Sequence, residues 1–322
     1  MSNSDPLLIL PYRSYANSER LFMFGRVVKN KGIQKKRASR LAIFLDTFRR
    51  FNSAEMASIE LDIQVGDSHY TVITGPEGYF KLDTPWQPPD ERAEKNWMTA
   101  AIQLRNRKEQ AIADIYFPSK NASFGILSDV DDTVLQTDMN SWLKLRMLYH
   151  TFFKTADQRL PMEGMPDLLN VLAKGENGNR ENPFFYVSDS PWNIYDILVE
   201  FMRIQRLPKG PLLLRDYGRQ IIFNRKLFDS HKIRAISHVL EMYPDLPFIM
   251  LGDTASHDAD HYLHFAKKYP DRILAIYIRL TKNTPNAQRV AKLIRAHAEL
   301  NAVLVKSSSE MMQDAREKGL LF

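Results

Sequence analysis

Hydrophobic and polar positions alternate with a period of two through much of the first third of the chain. This alternation is typical of strands with one buried face, and it predicts short strands joined by turns. Turn-forming Gly, Pro and Asp residues separate the alternating segments. The predicted strands are residues 21–28, 58–65, 69–73, 79–82, 98–104 and 111–116. We expect them to form a small antiparallel β-sandwich.

The pattern changes after a polar segment at residues 118–123. Beyond it, short apolar runs alternate with stretches whose apolar residues recur every three to four positions, which predicts an α/β fold with a parallel sheet. The predicted strands are residues 124–127, 184–187, 220–223, 247–251, 273–278 and 302–305. The predicted helices are residues 140–153, 165–173, 192–203, 232–242, 258–268, 286–299 and 308–318. We therefore expect an N-terminal domain at residues 1–120 and an α/β domain at residues 121–322.

The composition is that of a globular protein, with 44% hydrophobic and 25% charged residues among 322. The absence of cysteine excludes disulfides and thiolate-bound metals and fits a reducing compartment. The N-terminus lacks the pattern of a signal peptide, and no apolar run reaches the roughly 18 residues that span a bilayer. These features predict a cytoplasmic protein.

Two basic segments, residues 26–50 and 203–234, dominate the distribution of charge in a chain with a net charge of +6. Within the first segment, apolar residues recur at helical spacing over residues 41–51, flanked by arginines. This stretch could rest on a membrane surface as a basic amphipathic helix, or it could pack against its own domain. Either segment could bind phosphate groups or form an ordinary solvated surface. Peripheral association with a membrane is one outcome that this pattern allows.

Carboxylates crowd the end of the apolar run at residues 124–127. Asp129, Asp131 and Asp132 fall within four positions, and Thr133 follows them. Buried carboxylates are costly unless a cation or hydrogen bonds compensate them, so the stretch is a candidate site. The alternative is a strand followed by an ordinary helix N-cap, which Asp132 or Thr133 would supply. Because residues two apart share one side of an extended segment, Asp129 and Asp131 can face one pocket, where one attacks and the other transfers a proton.

Three further features follow in chain order, mostly at the ends of strands, where α/β sheets carry their sites. Ser188 ends a predicted strand, and its hydroxyl could bind a phosphoryl oxygen. Lys232 begins a predicted helix after a basic loop. Asp253 and Asp258 follow another predicted strand and could complete a Mg²⁺ site together with Asp129.

The order of these features resembles the haloacid-dehalogenase-like phosphatase superfamily, whose motifs are Asp-x-Asp-x-Thr, Ser or Thr, Lys, and Gly-Asp with a further Asp. The resemblance covers roughly residues 124–277. Residues 128–134, 186–192, 211–216 and 251–254 are similar to the catalytic-domain family of actin-patch-type phosphatidate phosphatases, and a bacterial member of that family is expected. The resemblance implies a Rossmannoid parallel sheet. Short spacing between the motifs leaves little room for a large cap, and an open site suits a bulky or membrane-embedded phosphoester.

The resemblance also implies roles for individual residues. Asp129 would be the nucleophile that forms an aspartyl-phosphate, and Asp131 would be the general acid/base. The phosphate-binding residues would be Ser188, Lys232 and Thr133. The Mg²⁺ ligands would be Asp129, Asp131, Asp253 and Asp258.

We therefore expect a Mg²⁺-dependent phosphomonoesterase that acts on phosphatidate or another lipid phosphate. One alternative is a phosphatase of a soluble phosphoester. Another is a catalytically silent lipid- or protein-binding module, in which the basic segment and the sandwich would serve recognition. The pair of Asp129 and Asp131 counts against a silent module, because binding alone requires no acid/base. Nucleic acid is not an expected partner, since the basic segments show no aromatic stacking platform.

A zinc site is a further interpretation, because His257 and His261 lie one helical turn apart in a predicted helix. Catalytic zinc would require a third ligand and a base as in the His-Glu-x-x-His motif, which is absent. The pattern favours a surface helix with scattered histidines.

Overall fold

The structure is a computed structural model. It describes residues 6–30, 54–88, 96–130, 164–215, 231–281 and 284–321. The chain divides into two compact units, which are Met1–Ser119 with Trp192–Leu198 and Lys120–Pro191 with Val199–Phe322. The predicted helix at residues 140–153 and the predicted strand at residues 220–223 lie outside the described residues, as does the amphipathic stretch at residues 41–51.

The first unit is built on an eight-stranded sheet that is largely antiparallel. Its strands are β1 (Leu7–Pro11), β2 (Ser14–Ala16), β3 (Arg20–Lys29), β4 (Glu60–Val65), β5 (Ser68–Ile73), β6 (Tyr79–Pro85), β7 (Trp97–Leu104) and β8 (Gln110–Tyr116). They follow the order β1-β3-β2-β8-β7-β4-β5, with β6 paired to β3, and β2 runs parallel to β8. The predicted antiparallel sheet is confirmed.

Burial in this sheet follows the alternation of the sequence. In β4, Leu61, Ile63 and Val65 are buried in the core, whereas the residues between them are exposed or half-buried. Strands β1 and β2 were not predicted, because neither shows a period of two. All three residues of β2 are buried, and in β1 three buried residues precede two that are half-buried.

Arg26 shows that one member of the basic segment at residues 26–50 has an internal role. Its side chain is buried, and its Nη2 lies 2.8 Å from Glu55 Oε1. The guanidinium lies 4.7 Å from the centre of the Tyr79 ring, which is a cation–π distance. The segment from residue 31 onward lies outside the described residues, so its contact with a membrane stays a prediction.

The second unit is built on a six-stranded parallel sheet with the order β11-β10-β9-β12-β13-β14. Its strands are β9 (Gly125–Asp129), β10 (Phe184–Pro191), β11 (Leu212–Arg215), β12 (Phe248–Asp253), β13 (Ile273–Arg279) and β14 (Ala302–Val305). The described α-helices of the chain are α1 (Met165–Lys174), α2 (Tyr195–Ile204), α3 (His231–Met242), α4 (Asp258–Lys268), α5 (Pro285–Arg295) and α6 (Ser308–Glu317), and α2 begins in the first unit. The predicted α/β arrangement with a parallel sheet is confirmed.

Central strands of this sheet are buried on both faces, which explains why they appear in the sequence as continuous apolar runs. Ile126 and Leu127 of β9 are fully buried, as is Phe248 of β12. A Cβ at Gly125 would overlap the Phe248 ring, so β9 packs against β12 more closely than alanine would allow. Strand β11 was not predicted, because its four residues are too few to show a period.

Within the part of the chain that the structure describes, no helix combines the length and the apolar character needed to cross a bilayer.

Candidate active site

The carboxyl ends of β9, β10 and β12 lie side by side at one edge of the parallel sheet. In the β9–β10 ladder, Val187 lies opposite Asp129, so Ser188 follows at the same edge. On the other side of β9, strand β12 ends at Asp253. The edge where parallel strands end is where α/β sheets carry their sites.

Lys232, at the start of α3, joins two of the predicted site carboxylates. Its Nζ lies 2.7 Å from Asp129 Oδ1 and 2.9 Å from Asp258 Oδ1. The Lys232 side chain is 2% exposed, and the Asp129 and Asp258 side chains are 4% and 0% exposed. Removal of one partner from such a buried pair leaves an uncompensated charge, so each of these residues depends on the others.

Asp253 completes an acidic cluster with Asp129 and Asp258. Each of the three offers a carboxylate oxygen, and these oxygens lie within 4.8 Å of one another. Asp253 Oδ1 accepts hydrogen bonds from the backbone N–H groups of Ala255 at 2.7 Å and Ser256 at 3.3 Å. Asp258 Oδ2 accepts a hydrogen bond from the backbone N–H of Asp253 at 3.2 Å. The backbone between β12 and α4 therefore orients both carboxylates.

The acidic cluster has the charge and the donor atoms that a divalent cation requires. With the three carboxyl groups ionised, Lys232 offsets one of three negative charges and leaves a net charge of −2. Arg279 Nη2 lies 3.9 Å from Asp253 Oδ2, at a half-buried position beside the cluster. Carboxylate oxygens are the donors that hard divalent cations prefer. The three aspartates therefore fit a divalent metal ion.

Ser188 is fully buried at the end of the regular part of β10. Its Oγ accepts a hydrogen bond from the backbone N–H of Ser190 at 2.9 Å. The pairing of β10 with β11 shifts register between Val187 and Pro191, so the segment that contains Ser188 is irregular. Irregularities of this kind re-aim side chains next to active sites.

Asp131 and Thr133 lie outside the described residues, as does Asp132. Their predicted roles therefore stay predictions. The same holds for the predicted absence of a large cap, because the interval after Asp131 is not described before residue 164.

His231 anchors the start of the helix that carries Lys232. Its Nε2 lies 3.0 Å from the backbone oxygen of Leu213 in β11. Burial lowers the pKa of His231, although the hydrogen bond to Leu213 and the negative charge of Asp189 act in the opposite direction. The imidazole therefore favours the neutral form that donates to this carbonyl.

Tyr262, which the sequence reasoning missed, lies beside the acidic cluster. It is 1% exposed, and its hydroxyl donates a hydrogen bond to the backbone oxygen of Leu251 at 3.1 Å. Burial, followed by the charges of Asp258 and Asp129, raises the pKa of Tyr262 well above its ordinary value. The spacing in the sequence could have indicated this position, because Tyr262 follows Asp258 by four residues and therefore lies on the same face of the predicted helix.

The helix that carries His261 was predicted to be a surface helix with scattered histidines, and the structure differs from this prediction. His257 precedes the helix and its side chain is 65% exposed, whereas His261 is buried. Seven of the eleven residues of α4 are buried, so the interpretation as a surface helix is wrong.

Comparisons with known proteins match part of the chain to one family. Residues 124–280 match the family described as the catalytic domain of phosphatidate phosphatase APP1. The chain is 31% identical over 173 residues to phosphatidate phosphatase APP1 of Saccharomyces cerevisiae, which covers 52% of this chain and 28% of that protein. It is 24% identical over 217 residues to an uncharacterized protein of Schizosaccharomyces pombe, which covers 66% of this chain and 34% of that protein.

The chain thus matches 28% and 34% of the lengths of these two curated relatives. Both are fungal, so the expected bacterial origin stays a prediction. Among solved structures, a carbohydrate acetylesterase from Xanthomonas citri aligns with a TM-score of 0.34 and 8% identity, over 94% of this chain and 68% of that chain. A similarity at this level carries no argument about the fold. The match over residues 124–280 and the identity to the yeast enzyme therefore show that this segment of the chain is similar to the phosphatidate phosphatase APP1 catalytic domain.

Proposed function

We propose that this protein is a metal-dependent phosphoric monoester hydrolase whose substrate is phosphatidate or a closely related lipid phosphate. The observation that carries the proposal is the buried contact of Lys232 with Asp129 and Asp258, beside Asp253. These residues lie within the segment that matches the APP1 catalytic domain. Such a buried cluster of three carboxylates and a lysine is costly for the fold alone, whereas phosphoryl transfer uses both the carboxylates and the positive charge of the lysine.

In the proposed reaction, a carboxylate oxygen of Asp129 attacks phosphorus, an aspartyl-phosphate forms, and the alcohol leaves. Lys232 supplies positive charge where one anion must approach another. Asp131 would protonate the leaving oxygen and then take a proton from the water that hydrolyses the aspartyl-phosphate. Ser188 and Thr133 would donate hydrogen bonds to phosphoryl oxygens.

We propose Mg²⁺ as the metal. The residues that would hold it are the carboxylates of Asp129, Asp253 and Asp258, with the backbone carbonyl of Asp131. When bound, Mg²⁺ would neutralise charge on the phosphoryl group and polarise it. The preference of Mg²⁺ for oxygen donors supports this choice over zinc.

We further propose that the second unit is haloacid-dehalogenase-like and has no large cap, and that the first unit is a β-sandwich. The sheet order supports a haloacid-dehalogenase-like second unit, because β9, which carries Asp129, lies between the strands that carry Ser188 and Asp253. Peripheral binding to a membrane through the basic segment at residues 26–50 is proposed from its sequence pattern alone.

Phosphate release from the purified full chain tests the proposal. Liposomal phosphatidate and soluble sugar phosphates would be compared with and without Mg²⁺, in the wild type and in Asp129→Asn. We expect Mg²⁺-dependent release from phosphatidate, and a loss of about a thousandfold or more in D129N because the nucleophile is gone. The control is Asp245→Asn, which removes an exposed carboxylate from the turn before β12 and should leave activity unchanged.

Each arm of this experiment can contradict one part of the proposal. Full activity in D129N would refute the nucleophile, and equal rates with and without Mg²⁺ would refute the metal. Faster release from sugar phosphates than from phosphatidate would refute the lipid substrate while leaving the chemistry intact. Tight binding of phosphatidate liposomes without any phosphate release would favour a silent binding module.

A further inference from the structure

We infer that Tyr262 is a positioning residue that fixes Asp253 and Asp258 relative to each other as metal ligands. The two aspartates belong to different elements, since Asp253 ends β12 and Asp258 begins α4. A metal ion held by both requires a fixed distance between strand and helix. The inference rests on the proposed metal-dependent function.

The hydroxyl of Tyr262 makes a direct link between the two elements. Tyr262 lies one helical turn after Asp258 in α4. Its hydroxyl donates to the backbone oxygen of Leu251 at 3.1 Å, and Leu251 lies two residues before Asp253 in β12. One side chain therefore connects the helix that carries one ligand to the strand that carries the other.

The ring of Tyr262 and the carboxylate of Asp258 also pack against the same residue of β12. A Cβ at Gly252 would lie 2.6 Å from Asp258 Oδ2 and 2.8 Å from Tyr262 Cε2. The carboxylate and the ring edge thus occupy the space beside Gly252 together. In a closely packed interior, the ring and the carboxylate are therefore both held against the same residue of β12.

The chemistry of the phenol fits positioning better than proton transfer. The hydroxyl of a tyrosine ordinarily carries its proton at neutral pH. That proton is engaged with the Leu251 carbonyl. Side chains next to metal ligands that hold a fixed hydrogen bond orient those ligands and do not themselves react.

Tyr262→Phe removes the hydroxyl and keeps the ring. We would measure binding of Mn²⁺ to the metal-free full chain by electron paramagnetic resonance, which does not depend on turnover. We expect the Kd for Mn²⁺ in Y262F to rise about tenfold, at the lower end of the range for loss of an outer-shell partner. The Mg²⁺ concentration for half-maximal phosphate release should rise in parallel, with kcat at saturating Mg²⁺ changed less.

Tyr186→Phe is the matched control. Tyr186 is equally buried, and its hydroxyl also donates to a backbone oxygen, that of Pro208 at 2.9 Å. If Tyr262 were only a structural residue, both variants would lower the melting temperature of the metal-free protein and leave the Kd for Mn²⁺ unchanged. That result would overturn the inference.

A second variant keeps the inference testable if Y262F does not fold. Gly252→Ala retains the hydroxyl but forces the Tyr262 ring and the Asp258 carboxylate away from β12, so it should also weaken Mn²⁺ binding. A wild-type Kd in whichever variant folds would overturn the inference and leave the phosphatase proposal standing. If the wild type binds no Mn²⁺, both the proposed metal and this inference are refuted.

Discussion

Replacement of Lys232 by methionine tests the charge balance of the candidate site. Methionine retains much of the length of the lysine side chain but removes the ammonium group between Asp129 and Asp258. The net charge of the cluster then changes from −2 to −3, because three carboxylates remain with no lysine. We expect the metal-free variant to be much less stable than the wild type.

The expected size follows from the burial of this contact. Loss of one partner from a buried ion pair costs about 3–5 kcal/mol in the free energy of unfolding. For a unit of about 200 residues, each kcal/mol lowers the melting temperature by roughly 2–4 °C, so K232M should melt roughly 6–20 °C lower. The control is Lys292→Met, on the exposed face of α5, which should change stability by no more than about 0.5 kcal/mol.

The double variant K232M/D129N separates charge from packing. It returns the net charge of the cluster to −2, because one carboxylate is lost together with the lysine. Thermal unfolding of the metal-free proteins should therefore show the double variant to be more stable than K232M. An unchanged melting temperature in K232M would refute the reasoning, and so would a double variant that is no more stable than K232M.

Two further predictions concern stability. In urea unfolding, Gly125→Ala should lower the free energy of unfolding by about 1–3 kcal/mol, because its Cβ would meet the Phe248 ring. The control is Gly75→Ala, whose Cβ would meet only a backbone oxygen at 3.8 Å, so its free energy of unfolding should change little. Burial would raise the pKa of Asp83, but hydrogen bonds from Arg20 and Lys81 outweigh it and lower this pKa to about 2. Because the unfolded pKa is about 4, the contribution of Asp83 is present above pH 4 and disappears as the pH falls to 2. Asp83→Asn should therefore flatten the pH dependence of unfolding in that window, and an unchanged pH profile would contradict the expectation.

The fold was predictable where the pattern of the sequence has a clear period. Strand β4 alternates as an antiparallel strand should, and helix α4 begins and ends where the apolar spacing predicts. Strand β11 was missed because three consecutive leucines show no period, and the strand predicted at residues 220–223 lies outside the described residues. Short buried strands are specified by their neighbours in the sheet, which a single segment does not reveal.

Part of the site was predictable from the order of its residues. Strand ends bring Asp129 and Asp253 to one sheet edge, whereas only the resemblance to a phosphatase superfamily implied that Lys232 belongs to the site. The role of Tyr262 was not predictable, because an aromatic residue at helical spacing normally fills a core. Its hydrogen bond to Leu251 depends on how α4 packs against β12, which only the coordinates show.

The charge of the cluster explains why a lysine and a metal ion would both be needed. Three carboxylates whose oxygens lie within 4.8 Å repel one another, and Lys232 offsets a single charge. A divalent cation offsets more of the remaining charge than a monovalent cation does, and Arg279 Nη2, 3.9 Å from Asp253 Oδ2, offsets a further part beside the cluster. Binding of such a cation would also stabilise the folded chain, by about 2.7 kcal/mol at a hundred times its Kd. The lysine therefore makes the metal-free fold tolerable without replacing the metal, and the carboxylate charge that remains favours binding of a divalent cation.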